Sequence, residues 1–125
     1  SVALPNLKNI LVAFLFLLIA QITYGAFVAG LKAGKFYTTF PKMGSEWIPT
    51  DFQFAFERMG FWVLFDSPGV VQFIHRNIGY AVCLLALYIG YLGVTKFVAV
   101  KKEALTLTIM VSCQVLLGVT TLIYA

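Results

Sequence analysis

One histidine, His75, stands beside Arg76 in the run Val71-Gln-Phe-Ile-His-Arg-Asn-Ile-Gly-Tyr80. An uncharged stretch from Asn77 to Thr95 follows, enough for a helix to cross most of a bilayer. Ionisable groups at that depth are costly to bury, so they sit in a protein interior or a wet cavity and usually act there. A neutral imidazole is the commonest side-chain ligand for metals, and haem iron is the natural candidate within a membrane. The competing reading is an ordinary histidine at the membrane interface.

The neighbours of His75 bear on that choice. On a helix, His75 shares a face with Gln72, Gly79, Val82, Cys83, Ala86, Gly90 and Gly93, while Tyr80, Leu84, Leu85, Leu87, Tyr88, Tyr91 and Leu92 lie on the opposite faces. Small residues at four-residue spacing let membrane helices approach closely. The functional alternative is that Gly79, one turn from His75, leaves room for a flat porphyrin. A second pattern is Gln21-Ile-Thr-Tyr-Gly25 in one apolar run and Gln114-Val-Leu-Leu-Gly118 in another, both Gln-x-x-x-Gly. An intramembrane glutamine needs a partner, and both could face one interior, although chance similarity between two apolar helices competes with that reading. Arg76, at the interface, is placed to meet haem propionates by charge. Lys32 could serve the same propionates or simply snorkel to the headgroups.

The elements that must position these residues follow from hydropathy. The chain is 61% hydrophobic and 11% charged, far below the charge content of a soluble domain (about 25%), which points to a membrane protein. No basic stripe continues along a helix, which argues against nucleic-acid binding. Three spans are expected, at about 9–31, 71–95 and 104–125, each long enough for a hydrocarbon core of about 30 Å. The first is too long for a secretory leader and lacks a small-residue cleavage site. The chain starts at Ser1 and ends while still apolar, so it reads as a segment of a longer protein. Lysine density beside the short connection 96–103 puts Lys8 and that loop inside, and the long loop 32–70 with His75 outside. Pro41, Gly44, Pro49 and Ser67-Pro68-Gly69 mark turns in the long loop. Within it, Phe52, Ala55, Phe56, Met59 and Trp62 recur at helical spacing over Asp51–Phe65. That pattern suggests an amphipathic helix on the outer membrane surface with Trp47 and Trp62 at headgroup depth, or a loop packed over the helix ends. Cys83 and Cys113 lie within apolar runs, where a thiol packs like a small core side chain. The fold class expected is all-α: a polytopic membrane protein with three transmembrane helices of an incomplete four-helix half-bundle.

Taken in order, Gly25-Ala-Phe-Val-Ala-Gly-Leu-Lys-Ala-Gly34, Tyr37-Thr-Thr-Phe-Pro-Lys-Met43, Trp47-Ile-Pro49 and Val71-Gln-Phe-Ile-His-Arg76 resemble the second half of haem A synthases of the proteobacterial and mitochondrial type. Two positions depart from that pattern. Thr38 stands where Asn is usual, and Ile74 where an acidic residue often precedes His-Arg. The resemblance implies an eight-helix enzyme of two similar halves in a bacterial or mitochondrial inner membrane. That enzyme oxidises a methyl group of haem O to the formyl group of haem A for terminal oxidases. It further implies that this chain corresponds to helices five to seven, with His75 as an axial ligand of a haem b, and that the substrate haem O occupies the other half. The segment by itself is then expected to be inactive. The remaining helices, haem O synthase and the oxidase assembly machinery become the expected partners. A cytochrome b-type electron-transfer subunit and a cofactor-free membrane scaffold are the alternatives.

Overall fold

The computed structural model describes residues 3–124. Its elements are helices α1 (Ala3–Leu31), α2 (Asp51–Met59), α3 (Val63–Asp66), α4 (Pro68–Thr95) and α5 (Lys101–Ile123), with single 3-10 turns at Ala33–Lys35, Gly60–Trp62 and Val98–Val100. No strand occurs among the described residues, and only an isolated bridge pairs Met43 with Glu46. Three stretches, Asn6–Leu31, Pro68–Thr95 and Val98–Ile123, are long and apolar enough to cross a membrane. The protein is therefore an all-α polytopic membrane protein.

Each long helix runs past the apolar window that announces it. Pro5 falls in the first turn of α1, where no intrahelical N–H is needed. Lys8 is thus inside the helix rather than flanking it. Helix α4 begins at Pro68, three residues before the expected 71. Ser67 is extended, with φ −86° and ψ 114°, and its carbonyl accepts from the Val71 N–H at 2.9 Å. A serine cap followed by proline, whose φ suits the first helical position, is a favourable helix start. Lys101, Lys102 and Glu103 likewise open α5 instead of closing a loop, so the connection from α4 shortens to Lys96, Phe97 and one 3-10 turn. Ala125, the expected last residue of that span, lies outside the described residues.

The chain divides into two compact units. The first comprises the chain up to Gln21 together with Ile78–Leu116. Its core gathers Phe14, Val82, Ala86, Ile89 and Ala104, with Ile10, Leu17, Leu107 and Val111 packed around them. The small residues of α4 are used here for close helix contact. A Cβ on Gly93 would lie 2.5 Å from the Ala104 Cβ, and one on Gly90 would collide with Thr108. The Thr108 hydroxyl in turn donates to the Ala86 carbonyl at 2.7 Å, a polar tie across the helix pair. Cys83 and Cys113 are both free thiols.

The second unit comprises Ile22–Asn77 and the chain from Leu117. Its core is Met43, Phe52, Val63 and Val70, with Tyr37, Ala55, Met59 and Phe73 against it. The helix expected over Asp51–Phe65 is broken at Gly60, whose φ of 60° and ψ of −139° form a combination open in practice only to glycine. The break turns Trp62 off the packing face. Phe52, Ala55 and Met59 point inward, whereas Phe56 and Trp62 are exposed along with Phe54 and Phe61. Phe61, Trp62 and Phe65 contact one another edge to face.

Several polar side chains on exposed helix faces are satisfied by their own helix. Asn77, Thr95, Thr106 and Thr121 each donate to the carbonyl four residues back, at 2.7–2.8 Å.

Candidate functional site

His75 projects from the first third of α4 and is half-buried. Its ring lies against Gly25 of α1: a Cβ at Gly25 would sit 3.3 Å from Cε1, 3.9 Å from Nδ1 and 4.0 Å from Nε2. The imidazole therefore presents its Cε1 edge to the Gly25 backbone, close enough that a Cβ there would press on the ring. Gly25 came to notice as half of a Gln-x-x-x-Gly repeat, and the structure gives it this specific neighbour.

Gln72, one turn before His75, is 2% exposed. Its Nε2 donates to the Ala33 carbonyl at 2.8 Å. That bond fastens the turn that ends α1, where Lys32 adopts a left-handed conformation (φ 54°, ψ 38°) that is unfavourable for a residue with a Cβ. The Oε1 of the same amide is buried without a hydrogen-bond partner among the described residues. Lys32 itself is exposed. Gln72 thus acts as a fastener of the α1 terminus, a role that residue type and spacing did not reveal.

Arg76 is 8% exposed and reaches back over the long loop. One terminal nitrogen donates to the carbonyls of Pro41 at 3.2 Å and Lys42 at 3.4 Å, and the other to that of Tyr37 at 3.1 Å. The guanidinium also lies 5.8 Å from the Phe40 ring, beside the cis Phe40–Pro41 bond. The loop is well ordered around these contacts. The Thr39 hydroxyl donates to the Lys42 carbonyl and accepts from the Gly44 N–H, both at 2.7 Å, and Gly44 takes a φ of 69°. The charge expected to meet propionates is therefore engaged with main-chain carbonyls. Nearby, the Tyr37 hydroxyl donates to both Asp51 carboxylate oxygens at 3.1 Å. Burial, and then the Asp51 carboxylate, raise its pKa above the ordinary tyrosine value.

The other glutamines and glycines separate. In the first unit the Gln21 amide occupies the notch that Gly79 leaves, its Nε2 lying 3.0 Å from where a Cβ would be. The space expected to admit a porphyrin at Gly79 thus holds a side chain. The Gln21 Oε1 is buried and has no hydrogen-bond partner among the described residues. Gln114 is exposed, although its spacing puts it on the same stripe of α5 as the packed Leu107 and Val111. A Cβ on Gly118 would meet open space. The two Gln-x-x-x-Gly motifs are alike in sequence and unlike in surroundings.

Among the described residues no three His, Cys, Asp or Glu side chains cluster as a metal site, so the arrangement offers one imidazole nitrogen donor. It can supply one ligand, set against the Gly25 backbone and next in sequence to the Arg76 that pins the loop.

Comparison with known proteins gives this geometry a context. A 35% identical heme A synthase from Orientia tsutsugamushi (strain Ikeda) aligns over 129 residues, covering 99% of this chain and 35% of the relative. The heme A synthase of Paracoccus denitrificans is 36% identical over 106 residues, 84% of this chain and 27% of its own. That of Wolbachia sp. subsp. Brugia malayi is 41% identical over 110 residues, 87% of this chain and 30% of its own. The chain spans about a third of the length of these curated relatives. No solved structure matches. The family model described as cytochrome oxidase assembly protein covers residues 1–125, and the chain belongs to that family, COX15-CtaA.

Proposed function

We propose that this chain is part of a haem A synthase, the membrane oxidoreductase that converts a methyl group of haem O to the formyl group of haem A. In this reading it supplies one axial ligand, His75, to a haem b. The observation that carries the proposal is the placement of the chain's single histidine against Gly25, in a chain whose relatives are named heme A synthases.

The residues present fit such a group. Imidazole is a neutral nitrogen donor suited to haem iron. The missing Cβ at Gly25 leaves the ring edge in place without strain. Haem b, when bound, supplies reversible one-electron transfer at its iron. The protein's part is positional: Gly25 sets the plane open to the imidazole, Gln72 fixes the turn after α1, and Arg76 holds the 37–42 loop beside the histidine. Gln21, Gln114 and Lys32 remain as candidate contacts with cofactor or with the rest of the protein. A bis-histidine haem needs a second imidazole from outside this chain, which has one. The expected source is a histidine near the outer end of a helix following α5.

This assignment places the lysine-rich connection after α4 on the inner side of a bacterial or mitochondrial inner membrane, and the long loop with His75 on the outer side. Haem O synthase would supply the substrate, and terminal oxidase assembly would take the product. The test is His75→Ala in the full-length protein. The expected result is loss or spectral alteration of one low-spin b-type haem, together with loss of haem O to haem A conversion in a strain lacking its own synthase. Unchanged haem content, spectrum and conversion would overturn the reading.

A further inference from the structure

We infer a second binding site, for a phosphate group, at the end of the first unit that carries the start of α1 and the end of α4. The site is independent of the haem reading. A cavity of about 340 Å³ opens there, within the usual range for small-ligand pockets, about 300–1,000 Å³. Its polar lining is Asn6, Asn9, Tyr88 and Lys96, over a floor formed by Leu92 and Phe97. Asn6 and Asn9 are three residues apart and so project from one face of α1. None of the lining residues is acidic, and Lys96 is the only charge among them. The side chains of Asn6, Asn9, Tyr88 and Lys96 hydrogen-bond to no other described residue.

The chemistry of this set is that of an oxyanion site. Two carboxamides and a hydroxyl can donate hydrogen bonds, and an ammonium supplies a compact positive charge suited to phosphate. The floor is rigid: Leu92 and Phe97 are buried with Leu7, and both the Lys96 and Phe97 N–H groups donate to the Leu92 carbonyl at 2.8 Å. The Lys96 ammonium lies 5.6 Å from the centroid of the Phe97 ring, beside the cavity. Lys96 directly follows the last residue of α4, which puts it at headgroup depth if α4 spans the membrane.

A phosphate in this position could belong to a phospholipid or be free in solution. The place of Lys96 at the end of a helix long and apolar enough to span a membrane favours the lipid, because its ammonium then sits at the depth of the headgroup phosphates.

The test uses the full-length protein, stripped of lipid in detergent, with bound lipid counted by native mass spectrometry. Phosphatidylglycerol is expected to be retained as a tight equivalent, and diacylglycerol, which has the chains without the phosphate, is not. Lys96→Gln should weaken phosphatidylglycerol retention about tenfold or more, and Lys96→Arg should restore it. Asn9→Leu removes a donor on the other helix and gives a second test if the lysine variant fails to fold. Retention of phosphatidylglycerol against millimolar inorganic phosphate supports the lipid, whereas displacement assigns the same anion site to free phosphate. Equal retention of diacylglycerol, or unchanged phosphatidylglycerol retention in folded Lys96→Gln and Asn9→Leu proteins, would overturn the proposal.

Discussion

The two portions of helix α4 are built on opposite principles. From Pro68 to Asn77 it buries polar groups beside the apolar Val70 and Val71: Gln72 bonds the Ala33 carbonyl and Arg76 bonds three loop carbonyls. From Ile78 onward its buried groups are apolar or absent, and Gly90 and Gly93 draw the α5 backbone close. The first portion fixes its surroundings by directional bonds that name particular acceptors. The second does so by steric fit, which accepts any neighbour of the right size. The ligand role proposed for His75 needs orientation as well as burial, and His75 stands in the portion where orientation is specified.

Substitutions can break or sharpen this contrast. The largest effect is expected from Arg76→Met, which keeps the volume roughly but strands three carbonyls. Hydrogen bonds to a charged group contribute about 1.5–3 kcal/mol, so a loss of about 3 kcal/mol or more is expected by denaturant titration in detergent, with new protease cleavage in the 37–42 loop. Wild-type stability in that variant would mean the loop does not depend on the guanidinium. Gly93→Leu comes next. With the Ala104 Cβ only 2.5 Å from the introduced Cβ, overpacking should cost about 1–3 kcal/mol without altering loop proteolysis. If it opened the loop as well, the two portions would not be separable.

Gly25→Ala asks for less. The His75 ring must give by a few tenths of an ångström, so stability should fall by under about 1 kcal/mol, and under the proposed ligation by His75 the haem absorption or potential should shift. Gly118→Ala, where a Cβ meets open space, is the matched control and should change neither. Tyr37→Phe is the smallest, about 0.5 kcal/mol at neutral pH. Its folded pKa is raised, so the hydroxyl's contribution is full below the ordinary tyrosine value of about 10 and is lost as pH rises through the higher folded value. The difference between Tyr37→Phe and wild type should therefore vanish in strongly alkaline solution, and a difference that grew there would contradict the assigned bond.

What could be read from sequence was what depends on local periodicity and solvent. The three spans announce themselves because nothing but a helix satisfies twenty apolar residues in hydrocarbon. The close-packing reading of Gly90 and Gly93 was also available, since their spacing is a local property. Helix ends were less legible: Lys101 and Lys102 are polar yet helical, because a helix does not stop where the bilayer does. The Gly60 break was hidden by an apolar period that continues through it to Trp62. The tasks of Gln72 and Arg76 lay beyond reach, since their acceptors are carbonyls some forty residues away that only the returning loop brings near. Asn6 and Asn9 carried a faint signal, two carboxamides one turn apart at the start of a span, which gains meaning only once Lys96 closes the cavity.

The carbonyl bonds of Asn77, Thr95, Thr106 and Thr121 bear on how such a protein is made. A hydroxyl or amide folded onto its own helix has already spent its donor before any neighbour arrives. These four bonds therefore place no demand on a neighbouring helix as each span leaves the insertion machinery and rests in lipid. The polar groups that do demand a distant acceptor, Gln72 and Arg76, sit on α4 and find theirs in the 33–42 segment, which is synthesised earlier. When α4 is inserted its acceptors are already waiting, and the order of synthesis becomes the order of assembly.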